Sequence, residues 1–270
     1  MLECQIDQFD QFDISLQPNL AVDFMKHRIL TTFLIFLLSL WTGCSDSSQQ
    51  PGNAAIIPND FLSGGKYTSL VIEIVSVSGF APSASAIDNM KAFLSGLLNK
   101  NGGITVVQST ITSPGKSAFT LEDVKAIEAA NRKQVTSGTT LTAFFFFADG
   151  DYAGNSGGVK VFGFAYGGSS MALFEKTVYE FSGGVGKPAV STLETAVMKH
   201  EFGHILGLVN NGTALQSAHQ DSANGKHCNE QNCLMYFNVE TSDIGGNLLG
   251  GVVPELDANC LADLKANGGK

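Results

Sequence analysis

Lys199–Leu208 (KHEFGHILGL) carries the clearest chemistry in this 270-residue chain. His200 and His204 are four positions apart, so on a helix both imidazoles leave the same face and converge on one point. Two converging neutral imidazoles supply two of the three protein ligands of a catalytic zinc site. Glu201 stands beside the first, where a carboxylate can take the proton of a metal-activated water. Gly207 completes the pattern HExxHxxG. A glycine there can turn left-handed, end the helix and send the chain back toward the metal. A third ligand has to come from further on. His219, Asp221 and His227 are the nearest suitable groups, and Glu240 or Glu255 would serve in a different arrangement.

The helix that holds this pair has to be held in turn. Val197, His200 and His204 share one stripe, and Met198, Phe202, Ile205 and Leu206 cover most of the remainder. A helix apolar nearly all round is buried, and its two imidazoles and one carboxylate then need partners. Ser191 and Glu194 have capping-box spacing, which predicts a start near Thr192.

Before it the chain reads β-α-β-α-β-β-β. Tyr67–Val77 is dense in β-branched residues and predicts a strand, with Glu73 facing solvent. Pro82 and Ser83 open a helix with Ile87, Met90, Leu94, Leu97 and Leu98 on one side, closed by Asn101–Gly103. Ile104–Ile111 is a second strand. Thr120, with Asp123 three residues on, caps a helix that runs to about Ser137–Gly138. Leu141–Ala148 (LTAFFFFA) is apolar throughout and predicts a strand covered on both faces. Val159–Ala165 and Ser170–Glu175 predict two shorter strands, and Pro254–Asn267 a final helix. The glycine-rich stretch from Asp149 to Gly158 is a turn rather than a calcium loop, because Lys160 stands where the bidentate carboxylate belongs. The order describes an α+β domain, a mixed twisted sheet with helices packed on it.

A 44% apolar and 15% charged composition suits one sizeable globular domain, and a net charge of −9 excludes nucleic acid as the main partner. The N-terminus reads separately. Residues 1–24 are acidic and without period, as an upstream extension of the reading frame would be. Met25–Arg28, the apolar run Ile29–Leu40 and Trp41-Thr42-Gly43-Cys44 have the order of a secretory signal, too short to span a bilayer. Trp41–Cys44 resembles the lipobox of bacterial lipoproteins. On that resemblance residues 25–43 are a signal peptide and Cys44 is lipidated. Residues 44–65, rich in Ser, Gln, Pro and Gly, are a flexible tether, and residues 66–270 are the domain. The product would be exported and held on a membrane, the outer membrane or cell surface before the inner one, without a spanning helix.

The HExxHxxG helix resembles the metzincin metallopeptidases, whose longer motif continues HExxHxxGxxH to a methionine turn. Asn210 occupies the position of the last histidine. Further on, His227-Cys228-Asn229-Glu230-Gln231-Asn232-Cys233-Leu234-Met235 reads H-C-x4-C-x-M and is similar to the segment of the archaemetzincins that holds the third zinc histidine and the Met-turn methionine. In this chain Val209–Lys226 intervenes like an inserted loop. The resemblance implies a metzincin-like fold with a small C-terminal subdomain. It implies a single catalytic zinc on His200, His204 and His227, with His219 as the alternative third ligand, and Met235 in a Met-turn beneath the metal. Glu201 would be the general base of peptide-bond hydrolysis. Tyr236 is a candidate for steadying the transition state, and Asp221 for orienting a histidine. Archaemetzincins also carry a later CxxC that helps build a second zinc site. Here only Cys260 lies downstream, so a second zinc is not expected, and in an exported protein Cys228 and Cys233 would pair as a disulfide. The alternative from another class is a surface-attached binding module whose metal is structural or absent. A closed site of His200, His204, His219 and His227 would mark it.

Overall fold

The computed structural model describes residues 55–242, 248 and 250–270. The upstream extension, the signal peptide, Cys44 and the tether as far as residue 54 lie outside them.

Helix α1 (Pro58–Leu62) leads into β1 (Ser69–Val77), α2 (Ala84–Leu97), β2 (Ile104–Ile111), β3 (Ala118–Phe119), α3 (Leu121–Asn131) and β4 (Thr140–Phe147). Then follow β5 (Asp151–Tyr152), β6 (Gly163–Tyr166), β7 (Ser170–Leu173), α4 (Glu175–Phe181), α5 (Val190–Ile205), a 3-10 turn at Phe237–Glu240 and α6 (Ala258–Ala266). The main sheet has the order β2-β1-β4-β7-β6. Its first four strands run parallel and β6 runs antiparallel to β7 at the edge. The result is a mixed α/β architecture with a mostly parallel sheet.

The expected all-apolar strand is β4, in the middle of that sheet. Its side chains alternate between faces. Phe145 and Phe147 join the layer that contains Met198 and Phe202 of α5, and Phe144 and Phe146 join the layer of Phe119 and Val124. Helix α5 lies in the first layer, and every residue from Leu193 to Gly203 is buried. At roughly 1.5–3 kcal/mol per buried large apolar side chain, this layer is what fixes the metal-bearing helix in place.

Several expectations change. Helix α5 begins at Val190 and has no side-chain cap. Glu194 instead accepts the backbone amide of Ser83 at 3.1 Å and its hydroxyl, tying α5 to the start of α2. Glu73 does not face solvent. It is 3% exposed and accepts the backbone amides of Lys133 and Gln134 at 2.8–3.0 Å, where the chain leaves α3. That turn also ends α3 at Asn131, short of the expected Ser137. Residues predicted as the last of one strand, Phe174 and Glu175, instead cap and start α4.

The tether is also shorter than its composition suggests. Within residues 55–65, Pro58–Leu62 is helical, and Phe61 and Leu62 are fully buried. Phe61 meets Phe202 of α5 edge-to-face, with ring centroids 5.5 Å apart. Buried Lys100 donates to the carbonyls of Asp60, Ser63 and Tyr67, and burial lowers its pKa to about 8. Polar composition misreads this stretch because two buried side chains and one lysine are enough to dock it.

Candidate metal centre

Helix α5 presents His200 and His204 on one face, with His204 Nε2 3.1 Å from His200 Nε2. His200 Nδ1 lies 2.7 Å from the carbonyl oxygen of Leu234. A carbonyl only accepts, so the proton sits on Nδ1 and Nε2 carries a bare lone pair. Gly207 closes the helix with φ +74°. Val209 and Asn210 follow at φ +52° and +62°, a left-handed turn uncommon outside glycine. The chain therefore swings away at the position where the longer motif has its histidine. Asn210 is exposed and touches Gln220 rather than the cluster.

The chain then returns as a short ladder. His219–Asp221 pairs back to back with His227–Asn229, through Asp221 N to His227 O at 2.8 Å and Asn229 N to His219 O at 2.9 Å. Lys226 reaches the carbonyl of Asn210 and closes the loop. This brings His227 to the pair on α5, with ring centroids 5.3 Å from His200 and 5.0 Å from His204. His227 Nδ1 donates to the carbonyl of Asn224 at 2.7 Å, so its Nε2 also offers a lone pair. Asp221 acts one step removed. It accepts the amides of Ala223 and Asn224 and the side chain of Asn224, holding the carbonyl that orients His227.

Glu240, at the end of the 3-10 turn, joins the three imidazoles. Its Oε1 is 3.4 Å from His227 Nε2, and its Oε2 is 3.8 Å from His200 Nε2 and 4.0 Å from His204 Nε2. These four groups lie within 4.8 Å of one another. Burial, then the neighbouring His200, holds the His204 imidazole well below its usual pKa. Burial opposes protonation of His227, but the Glu240 carboxylate outweighs it and raises the pKa. Burial also opposes ionisation of Glu240, and His200 and His227 overcome it, holding the carboxyl below the usual range. Glu201 is the contrast. Burial, reinforced by Glu240, pushes its carboxyl well above the usual range. Both its oxygens and His227 Nε2 are buried without a hydrogen-bond partner. Orphaned acceptors of this kind fit a cation and the water it carries.

Met235 lies fully buried against Gly203, between the two helix histidines, where a Cβ would meet its sulfur and, at 3.1 Å, its methyl. Tyr236 does not join the cluster. It lines a cleft of about 390 Å3 with Asn238, Val239 and Glu255, and none of the three histidines borders that cleft.

His219, the alternative third ligand, goes elsewhere. It is gathered with Cys228, Cys260 and Asp257 into a second group of metal-ligating side chains. Its Nδ1 is 3.4 Å from Cys228 Sγ and 4.0 Å from Cys260 Sγ, and Cys233 Sγ is 3.7 Å from Cys260 Sγ. All three cysteines are free, so the expected Cys228–Cys233 disulfide gives way to a thiol cluster. A tetrahedral zinc with bonds of about 2.3 Å to sulfur has sulfur–sulfur edges of roughly 3.8 Å, which the Cys233–Cys260 separation fits. Asp263 accepts His219 Nε2–H at 2.8 Å, leaving Nδ1 as the lone pair that faces the thiols. Asp257 Oδ1 is taken up capping α6 through Cys260 N. The inserted loop thus brings His219, a nitrogen donor, to the three thiols. Reading the sequence offered Glu240 only as the ligand of a different arrangement, and it did not give His219 this role. A carboxylate four residues after Tyr236 and a histidine within a loop give no periodic signal.

No protein-family profile matches the chain, and no curated protein matches it in sequence. In structure it is similar to the archaemetzincin from Methanopyrus kandleri, at a TM-score of 0.48 and 17% identity, covering 74% of this chain and 96% of that one.

Proposed function

We propose that the protein is a metzincin-like zinc peptidase that hydrolyses peptide bonds at the His200–His204–His227 cluster. The observation that carries the reading is Glu201, a fully buried carboxylate next in sequence to His200 and electrostatically coupled to Glu240 of the cluster, whose oxygens have no hydrogen-bond partner among the described residues. A purely structural site needs no such group. When bound there, zinc acidifies a water and polarises the scissile carbonyl. Glu201 would take the proton of a metal-activated water and deliver it to the leaving amine. Leu234 and Asn224 hold the imidazoles in the tautomer that presents Nε2, and Met235 supports the helix from below.

Substrate backbone would add to β6, the edge strand of the sheet. Gly163 of β6 sits directly over α5, where a Cβ would come within 3.1 Å of Val197 and 3.3 Å of Glu201. A peptide paired with β6 therefore runs beside the base. Interior β7 is paired on both sides and offers no free edge.

We assign a second, structural zinc to His219, Cys228, Cys233 and Cys260, a set closed to substrate by its full complement of protein donors. We propose in addition that the protein is exported and held on a membrane surface through Cys44, a reading supported by the signal-like segment before it.

The test is zinc content and peptide cleavage for the wild type and Glu201→Ala. Both should keep their zinc, while cleavage falls by about 10²–10⁴-fold in the variant. Equal cleavage by the two would remove the mechanism. If His204→Ala holds as much zinc as the wild type, the metal is not at this cluster.

A further inference from the structure

We propose that Glu240 is a fourth ligand at the histidine cluster, closing the position a substrate carbonyl needs, so that the enzyme at rest is held shut by its own carboxylate. The proposal rests on the reading of that cluster as a zinc site.

Three observations converge on Glu240. The first is spacing. A tetrahedral set with bonds of roughly 2.0–2.2 Å has donor–donor edges of about 3.3–3.6 Å. The separations of 3.1 Å between the helix imidazoles, 3.4 Å from Glu240 to His227, and 3.8 and 4.0 Å to the other two bracket those edges. The second is the carboxylate's company. Among the described residues its ion partners are the three imidazoles alone, with no lysine or arginine beside it. A carboxylate held that way needs positive charge, and a cation among the imidazoles supplies it. The third is its attachment. The Glu240 carbonyl accepts Phe162 N at 2.8 Å, and Ser242 N reaches Lys160 O at 2.8 Å. The carboxylate therefore rides on backbone pinned to the stretch that leads into β6, the edge proposed to take substrate.

A site closed by four protein ligands would ordinarily be structural. Two features mark this one as displaceable. Glu240 is the most exposed of the four, at 25% against 0–11% for the imidazoles. It also ends a four-residue 3-10 turn, whereas two of the histidines come from the buried helix. The unpartnered Glu201 beside the cluster has a use only when the fourth position opens.

The experiment compares zinc-loaded full-length wild type with Glu240→Gln and Glu240→Asp. Zinc affinity is read by competition with a chromophoric chelator, and the open position by titration with acetohydroxamate. Both variants should hold zinc at the histidine cluster roughly tenfold or more weakly, and bind acetohydroxamate roughly tenfold or more tightly, with unfolding temperatures close to wild type. Asp keeps the charge but loses one methylene of reach, so a Gln-like result for Asp identifies coordination rather than charge. Unchanged zinc and acetohydroxamate affinities in Glu240→Gln would overturn the proposal and leave the three-histidine site standing. Zinc content insensitive to His204→Ala would overturn both.

Discussion

The two clusters are built from adjacent residues and have opposite characters. His227 and Cys228 are neighbours in the ladder that pairs with His219–Asp221, and successive side chains of an extended strand point to opposite sides. One goes to the histidine cluster and the other to the thiols. The histidine cluster has the buried Glu201 next in sequence to His200, two imidazoles on one helix and a rim carboxylate that reaches solvent. The thiol cluster has Asp257 as its carboxylate, one oxygen of which already caps α6. His219, Cys228, Cys233 and Cys260 are each at most 1% exposed, and they come from the inserted loop, the ladder and α6. A site with two of its donors on one rigid helix can lose its ion and keep much of its shape. A site whose donors are the only thing joining three segments cannot.

Four substitutions test that contrast. The largest expected effect is Cys260→Ala. Structural zinc contributes roughly 10–16 kcal/mol in small zinc domains, comparable to a domain's whole stability of about 5–15 kcal/mol. The variant should lose one zinc and melt about 10 °C or more below wild type. His204→Ala should also lose one zinc yet melt within about 3 °C of it. Equal melting losses in a thermal scan would erase the distinction. Next is Asp263→Asn, which weakens the acceptor that fixes His219. It should lower zinc affinity at the thiol cluster by about 10–100-fold and leave the histidine cluster unchanged in a chelator titration. Smallest is Gly203→Ala. The new methyl presses on Met235, at a cost of about 1–3 kcal/mol, partly offset by about 1 kcal/mol of helix propensity. Urea unfolding should show a modest net loss with both zincs retained; no loss would mean that Met235 moves freely.

The contrast also explains what could be read before the structure. The helix pair, Glu201 and Gly207 follow from local periodicity, and β4 from an apolar run that only a covered strand explains. His227 was reachable through its neighbours Cys228, Cys233 and Met235. The fate of His219 was not, because its partners Cys228, Cys260 and Asp263 lie 9–44 positions away. Counting cysteines favoured a disulfide because a histidine can replace a thiol at a metal without leaving a pattern. Glu73 and Glu194 failed for the same physical reason. Each is a buried carboxylate satisfied by backbone amides of a distant segment. Hydropathy assigns such residues to the surface.

Helix α1 changes the reach of whatever lies upstream. Pro58 rests against Gly207 at the end of the metal-bearing helix, where a Cβ would come within 2.6 Å of its ring, and Phe61 rests against Phe202. The leash therefore ends near Ile56 rather than Gly65. Those nine or so residues would have spanned about 30 Å fully extended. If Cys44 is the point of attachment, the proposed active site would meet only substrates that come close to the membrane, and a pull on the upstream chain would act on the helix that carries His200 and His204.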